Sequence, residues 1–311
     1  MQYVRYLTKG ENMRITNKFD LPETVVKALK NPTYSKGSAH ASATELLNSP
    51  RIVQLKKKHW EEITVDASEM VWSLAGTMMH KILESDAPNH ISEERLHAEI
   101  NGWNISGAID LQEIYDDGIV ITDYKFTSVW AVMNEKSEWG DQLNIYAWLV
   151  EKVKNKPVKK VRVLALIRDW SARDAVNREG YPPAPITYVD YEVKTFTHRE
   201  EYIKSRVDAH NHAYFQMTMD SELPPCTPED MWEKQTTYAL KKIGGVRAKK
   251  VYSILTEAET GLAEAGKGYE IETREGERTR CEKYCQVSQF CTQFQDYLNS
   301  KGHEVITVLE N

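Results

Sequence analysis

The sequence predicts an α/β fold, with a central mixed β-sheet flanked by helices, and three observations predict it. The strand-like runs "RLHAEI", "WNISGAIDLQEIY" and "GIVITDYKF" follow one another, and the turn "DDG" joins the last two as an antiparallel hairpin. Strong helical patterns bracket the hairpin, at 68–84 and 139–154. Two more strand patterns, "KKVRVLALIRDW" and "ITYVDYEVKTF", come only after the second helix. The order of helices, hairpin, helix and strands suits a mixed sheet with helices packed on it.

The N-terminal arm, 1–35, is mixed and holds one short helical pattern, "LPETVVKALK". Met13 is an alternative start, and the first dozen residues are expected to be dispensable. "NPTYSKGSAH" reads as a loop. "SATELLNSPRIVQLKKKHW" reads as helix, with Ser42 or Thr44 as N-cap and a break or restart at Pro50. In "SEMVWSLAGTMMHKILE" the positions Val71, Leu74 or Ala75, Met78 and Ile82 make an apolar stripe at helical spacing, expected to be core. A helix is expected from 198 to about 220. "SELPPCTPED" is a Pro-rich boundary, followed by a short helical or irregular segment, basic residues and the run "CEKYCQVSQFC". The chain thus divides into an arm (1–35), a core (36–220) and a C-terminal cysteine-containing segment packed on the core (221–311). There is no internal repeat or low-complexity tract.

Composition bounds the function. Of 311 residues, 41% are hydrophobic and 28% charged, as in ordinary globular proteins. No apolar run approaches the roughly 20 residues that span a bilayer, and the N-terminus is too polar for a signal peptide. A cytoplasmic location without membrane contact is expected. The net charge of −6 excludes a non-specific nucleic-acid coat protein. It leaves room for a local basic groove on an acidic molecule. Two basic clusters, "KKKH" at 56–59 and "KKIGGVRAKK" with Lys241, Lys242, Arg247, Lys249 and Lys250, are either solvated faces or phosphate contacts.

The hairpin carries charge where a core strand should not. Residues two apart share a face, so Asp123 and Lys125 point the same way. If Asp116-Asp117 is a two-residue turn, cross-strand partners sum to 233 and Asp110 lies opposite Asp123; a bulge at Gly118 would shift this by one. Facing carboxylates repel, and burying one unpaired is costly. A divalent cation, Mg2+ or Mn2+, would neutralise them. Lys125 would then orient a water or stabilise phosphoryl charge. The alternative is a salt bridge at a sheet edge.

Other residues join this pattern. Gly76, His80 and Glu84 lie on one line of a helix. Gly76 would allow close backbone approach, and His80 is a candidate metal ligand or a structural histidine. Gln142 and Tyr146 share a helix face and are suited to donate hydrogen bonds to a phosphate, or to hydrogen-bond within the core.

Taken in order, "GTMMH", "GAID", "TDYK" and "QLNIY" resemble the RecB-like branch of the PD-(D/E)XK nuclease superfamily over roughly residues 40–170. The helix "SATELLNSPRIV" resembles the N-terminal segment of these nucleases, and the chain as a whole is similar to a phage-borne member. The resemblance implies a restriction-endonuclease-like core. It implies His80, Asp110, Asp123 and the backbone carbonyl of Tyr124 as metal ligands, Lys125 as the catalytic lysine, and Gln142 and Tyr146 as holders of the DNA strand. Glu84 and Glu99 are lesser candidates, expected to be structural.

Cys226, Cys281, Cys285 and Cys291 suggest a metal rather than disulfides in a chain with no secretion signal. Four thiolates suit zinc or an iron–sulfur cluster; unligated thiols are the third reading. The resemblance favours a 4Fe–4S cluster, as in AddB-type and CRISPR-associated members. This chain departs from them in its first cysteine gap. It also departs in its fourth cysteine, which those members carry near the position of Asn48-Ser49-Pro50. The cluster would act as a staple, with Tyr284 and Phe290 packed beside it or stacked on a base.

The expected function is a metal-dependent DNA nuclease, an exonuclease acting on ends in recombination, repair or phage replication. The alternatives are a non-catalytic DNA-binding or assembly module and an iron–sulfur redox protein. A recombination or replication partner protein and an oligomeric state stay open.

Overall fold

In chain order the computed structural model begins with β1 (Arg14–Thr16), α1 (Glu23–Lys30), β2 (Ala41–Ser42), α2 (Ala43–Leu47), α3 (Pro50–Lys58), β3 (Thr64–Asp66) and α4 (Val71–Leu83). The centre holds β4 (His90–Ile100), β5 (Trp103–Tyr115), β6 (Gly118–Thr127), α5 (Val129–Met133), α6 (Ser137–Lys154), β7 (Val158–Ile167), α7 (Ala172–Asn177), β8 (Ile186–Tyr191) and α8 (Phe196–Phe215). Last come α9 (Pro228–Met231), β9 (Glu233–Lys234), β10 (Thr237–Lys242), β11 (Ala248–Tyr252), α10 (Leu255–Ala265), β12 (Tyr269–Arg274), β13 (Glu277–Arg278), α11 (Thr279–Lys283) and α12 (Thr292–Ser300). The structure describes residues 13–30, 36–85, 87–134, 136–216 and 222–301. The first dozen residues and the end of the helix expected to reach 220 lie outside them.

Local chemistry sets the early boundaries. The Ser42 side chain accepts from Glu45 N while Glu45 reaches back to the Ser42 amide, a capping box that starts α2. Pro50 then opens α3 at its first turn.

The main sheet has six strands and mixes directions. β6 and β7 are parallel, linked through α6; β7–β8 and β4–β5–β6 are antiparallel. β5 is the pivot. β4 pairs along one edge from Trp103 to Glu113. The other edge is shared: β6 holds Leu111–Tyr115, and β2 holds Ile105 and Ser106. The observed pairs Leu111↔Thr122 and Tyr115↔Gly118 keep the register expected from a two-residue turn. The bulge falls instead between Ile119 and Val120, on the β7 side.

The core lies between this sheet and α2, α6 and α8. Leu143 to Val150 of α6 are buried without interruption, alongside Ile105, Ile109, Ile119, Ile121, Val161, Val163 and Ile203. Each leucine, isoleucine or valine among them contributes about 1.5–3 kcal/mol on burial. A second cluster joins Ile52, Leu55, Ile63 and Val65 to Leu223, Met231 and Val287, and so ties the C-terminal segment to α3.

Two expectations fail. The apolar stripe of α4 is not core: Met78 is 52% and Ile82 78% exposed, and no residue of the helix is buried. The helix lies on the rim of a cleft and turns Ser73, Gly76, Thr77, His80 and Glu84 into it. The segment after the Pro-rich boundary opens on a short helix, α9, as expected, but the basic stretch beyond it is a sheet that was not expected. β10 pairs with both β11 and β12, Ala239 and Leu240 are buried, and α10, with Ala258 and Gly261 buried, packs on this sheet. β10 and β11 are short and lysine-rich, so their alternation is masked by charge. Among the described residues no helix is long and apolar enough to cross a membrane.

His210, buried in α8, donates from Nε2 to the Leu46 carbonyl at 3.0 Å. Burial pushes its pKa down to about 4. The unfolded chain takes up this proton below about pH 6.5, so the contribution is complete at neutral pH and is lost as pH falls from there through 4. In urea unfolding, the stability difference between the parent and His210→Gln should narrow by about 3 kcal/mol across that window. A constant difference would show that His210 titrates normally.

Candidate functional site

The site opens where β5 changes partners. The β5–β6 ladder ends at Leu111↔Thr122, and the next residues on the two strands are Asp110 and Asp123. With the strands parting, a side chain replaces the missing backbone bond: Tyr124 N–H donates to Asp110 Oδ2 at 2.6 Å. Both carboxylates are buried. Asp123 and Lys125 share a face, as their spacing predicts, with Nζ 2.7 Å from Oδ2.

Three elements close over this pair. From α4, His80 Nδ1 lies 3.4 Å from Asp110 Oδ1 and 3.2 Å from Glu93 Oε1. From α6, Gln142 donates to Asp123 Oδ1 at 3.3 Å and to Tyr146 Oη at 2.7 Å, and accepts from Lys125 Nζ at 3.2 Å. A single cleft is lined by His80, Glu93, Asp110, Asp123, Lys125 and Gln142, with Tyr146 beside them.

Glu93 was not expected. It lies in β4 between two residues paired to β5, Ser92↔Leu111 and Glu94↔Ile109, and so stands in register with Asp110. Its φ of +52° is left-handed, a costly conformation for a residue with a side chain. His80, Glu93 and Asp110 bring ligand atoms within 4.8 Å of one another, and they are the one such group of three among the described residues. The signal available in the sequence was an acid in register with Asp110 on the neighbouring strand.

The electrostatics are unbalanced without a cation. Burial raises the Asp123 pKa against the pull of Lys125, and Asp110 raises it further. Burial acts to lower Lys125, but the Asp123 charge outweighs it and the ammonium is held above its ordinary value. His80 is raised to about 10 by hydrogen bonding to Asp110 and then Glu93. The buried Asp123 Oδ2 is engaged by the Lys125 ammonium alone, at 2.7 Å. The His80 imidazole with the Glu93 and Asp110 carboxylates, and the buried Asp123 carboxylate in the same cleft, make a donor set suited to a hard divalent cation.

The lesser candidates stand apart. Glu84 lines the cleft mouth and pairs with Lys81 at 2.6 Å. Glu99 is an exposed residue of β4 opposite Asn104. Gly76 does not serve close approach: a Cβ there would meet nothing within 4 Å. Gly107, in "GAID", does. A Cβ would lie 2.7 Å from Leu149 Cδ1 and 2.9 Å from the Tyr146 ring.

The four cysteines converge elsewhere. Cys226, Cys281, Cys285 and Cys291 line one pocket beneath α3, none of them in a disulfide. Arg51 donates from Nε to Cys291 Sγ at 3.2 Å, and Ser49 Oγ lies 3.2 Å from Cys226 Sγ. The position that the resemblance gives to a fourth cysteine, around Ser49, thus abuts Cys226. No three of the sulfurs lie within 4.8 Å of one another. Burial raises Cys226 to about 11 and Cys281 to about 12, the latter also through the other three thiols. Phe290 stacks on His59, ring centres 4.1 Å apart, while Tyr284 is exposed beside Trp232.

Gly107→Ala should force Tyr146 off Gln142 and lower stability by about 1–3 kcal/mol in thermal unfolding. An unchanged melting temperature would show that the α6–β5 contact yields freely.

No curated protein matches the chain. A solved structure titled "Crystal structure of SSO0001" is 18% identical over 60% of this chain and 82% of that one, with a TM-score of 0.40. A family model described as the PD-(D/E)XK nuclease superfamily matches residues 23–292, nearly the whole described chain. The chain therefore belongs to the PD-(D/E)XK nuclease superfamily, whose members are typically nucleases that use divalent metals such as Mg2+ or Mn2+.

Proposed function

We propose that this protein is a metal-dependent DNA exonuclease of the RecB-like branch, acting on DNA ends in recombination, repair or phage replication from the (host) cytoplasm. The observation that carries the reading is the group of His80, Glu93 and Asp110, whose ligand atoms lie within 4.8 Å of one another in the cleft where the buried Asp123 is ion-paired to Lys125. Asp110, Asp123, His80 and the Tyr124 carbonyl would hold the cation, with Glu93 as a further ligand or as the anchor of His80. When bound, the cation supplies a Lewis acid for phosphoryl oxygen and acidifies water.

The remaining steps belong to the chain. Lys125 brings a fixed positive charge to the phosphate and orients the attacking water. Gln142 holds Lys125, Asp123 and Tyr146 in one hydrogen-bonded set, so the lysine meets its substrate preorganised. Gln142 and Tyr146 position the strand. His80 must release its proton before its nitrogen can bind metal, so metal uptake should liberate protons.

The four-cysteine pocket supports a 4Fe–4S cluster as a structural staple. Cys226, Cys281, Cys285 and Cys291 would hold the group, and it would pin the C-terminal segment to α3. Arg51 and Ser49, as donors to two of the sulfurs, would tune it.

Asp123→Ala and Lys125→Ala should abolish Mg2+- or Mn2+-dependent shortening of end-labelled DNA, and EDTA should do the same to the parent. Cutting at the parent's rate by either variant would reject the site. Glu93→Gln should weaken Mn2+ binding to the DNA-free protein by about 10- to 100-fold in calorimetric titration; parental affinity would remove Glu93 from the metal's surroundings. Anaerobically purified protein should carry iron and acid-labile sulfide, both lost in Cys281→Ser. Zinc in their place would overturn the cluster.

A further inference from the structure

The β10–β11 hairpin is chemically unlike the rest of the molecule. Thr237–Tyr252 holds five basic residues and no acid, in a chain of net charge −6. Lys241 is committed to holding the sheet, 2.9 Å from Glu272 and 3.6 Å from Glu270 on β12. Lys242, Arg247, Lys249 and Lys250 are exposed. Lys249 lies over the Tyr269 ring and Lys250 over the Tyr252 ring, with Nζ 5.0 and 4.6 Å from the ring centres. These contacts reduce the freedom of two long side chains.

The tip is apolar and built. Gly245 N–H donates to the Lys242 carbonyl at 2.8 Å, and Gly244 takes φ +71° at the third position, a type II turn. Ile243 N–H donates to the Gly268 carbonyl at 3.0 Å, which fixes the turn to the next loop. Ile243, in this turn, is 66% exposed, and Val246, just after it, is 95% exposed. Edge lysines alone would serve to block strand pairing, but they leave two exposed β-branched apolar residues at the hairpin tip unexplained. Basic flanks around an apolar wedge match a polyanion whose interior is a stack of apolar faces.

We propose that this hairpin is a second DNA-binding element: its basic flanks grip the phosphates of duplex DNA, and Ile243 and Val246 enter and part a base step. The choice of DNA rests on the nuclease reading above. The binding does not depend on cleavage.

The test uses the full chain carrying Lys125→Ala, in EDTA, with fluorescently labelled duplex DNA over a series of salt concentrations. Reversing four charges (Lys242→Glu, Arg247→Glu, Lys249→Glu, Lys250→Glu) should lower affinity at least tenfold. It should also flatten the slope of log affinity against log salt by about 0.9 for each phosphate no longer neutralised. The same four positions changed among Lys and Arg should restore both. With 2-aminopurine in the duplex, the parent should raise its fluorescence as bases unstack, and Ile243→Ser with Val246→Ser should remove that rise while most affinity remains. Parental affinity and slope in the charge-reversed chain would overturn the proposal, as would a parent that never unstacks a base. Unchanged DNA binding with altered self-association of the tip variant would overturn it in favour of a protein contact. If the chain with Lys125 intact cuts DNA in Mg2+ while the reversed hairpin binds normally, the hairpin alone is sunk. Hairpin-dependent binding, with no cutting by the Lys125 chain in Mg2+ or Mn2+, sinks the nuclease reading alone.

Discussion

A β-strand has two edges, and the whole site follows from how β5 divides one of them. β4 occupies the first edge throughout; β6 and β2 split the second, parting at Asp110. Where the ladder parts, backbone groups need new partners. Asp110 supplies one to Tyr124 and thereby becomes a buried carboxylate beside another. His80, Lys125 and Gln142 are the response to that concentration of charge, and each comes from a different element. The cleft is a discontinuity in the sheet whose repair is polar, and the repair gathers three carboxylates, an imidazole and an ammonium in one place.

This arrangement sets stability against chemistry. Burying acids without full compensation is costly, and Glu93 adds backbone strain on the neighbouring strand. The remainder of the core carries that burden. The uninterrupted burial of Leu143–Val150 in α6 and the branched residues of β5–β7 hold the strands at their parting. α6 thus serves both as the packing centre and as the platform for Gln142 and Tyr146.

The sequence exposed the parts of the site that obey short-range periodicity. Period two placed Asp123 and Lys125 on one face, and "DDG" set the hairpin register. The four-residue spacing of Gln142 and Tyr146 survived as a hydrogen bond. α4 escaped because an apolar stripe ordinarily faces a core, whereas here the polar line of the helix faces the cleft. Glu93 escaped because the strand pattern "RLHAEI" starts at Arg95, whereas β4 begins at His90, so its register with Asp110 went unread. The sheet of β10–β12 escaped because lysines obscured its alternation. Cys226 was separated in sequence from the three-cysteine run, and only the fold brings it beside Ser49 and the other sulfurs.

The short pairing of β9 with β13 has a consequence beyond the hairpin it supports. Glu233↔Arg278 and Lys234↔Glu277 bring the two ends of the intervening segment together, so that segment leaves and rejoins the body at one stem. The entropy of closing a loop grows only logarithmically, by about 0.6 kcal/mol per doubling of length. What lies beyond the stem can therefore lengthen, shrink or be exchanged at little thermodynamic cost to the nuclease body. The stem makes the chain a modular host, in which an exchange of the segment beyond it leaves the ends of the body where they are.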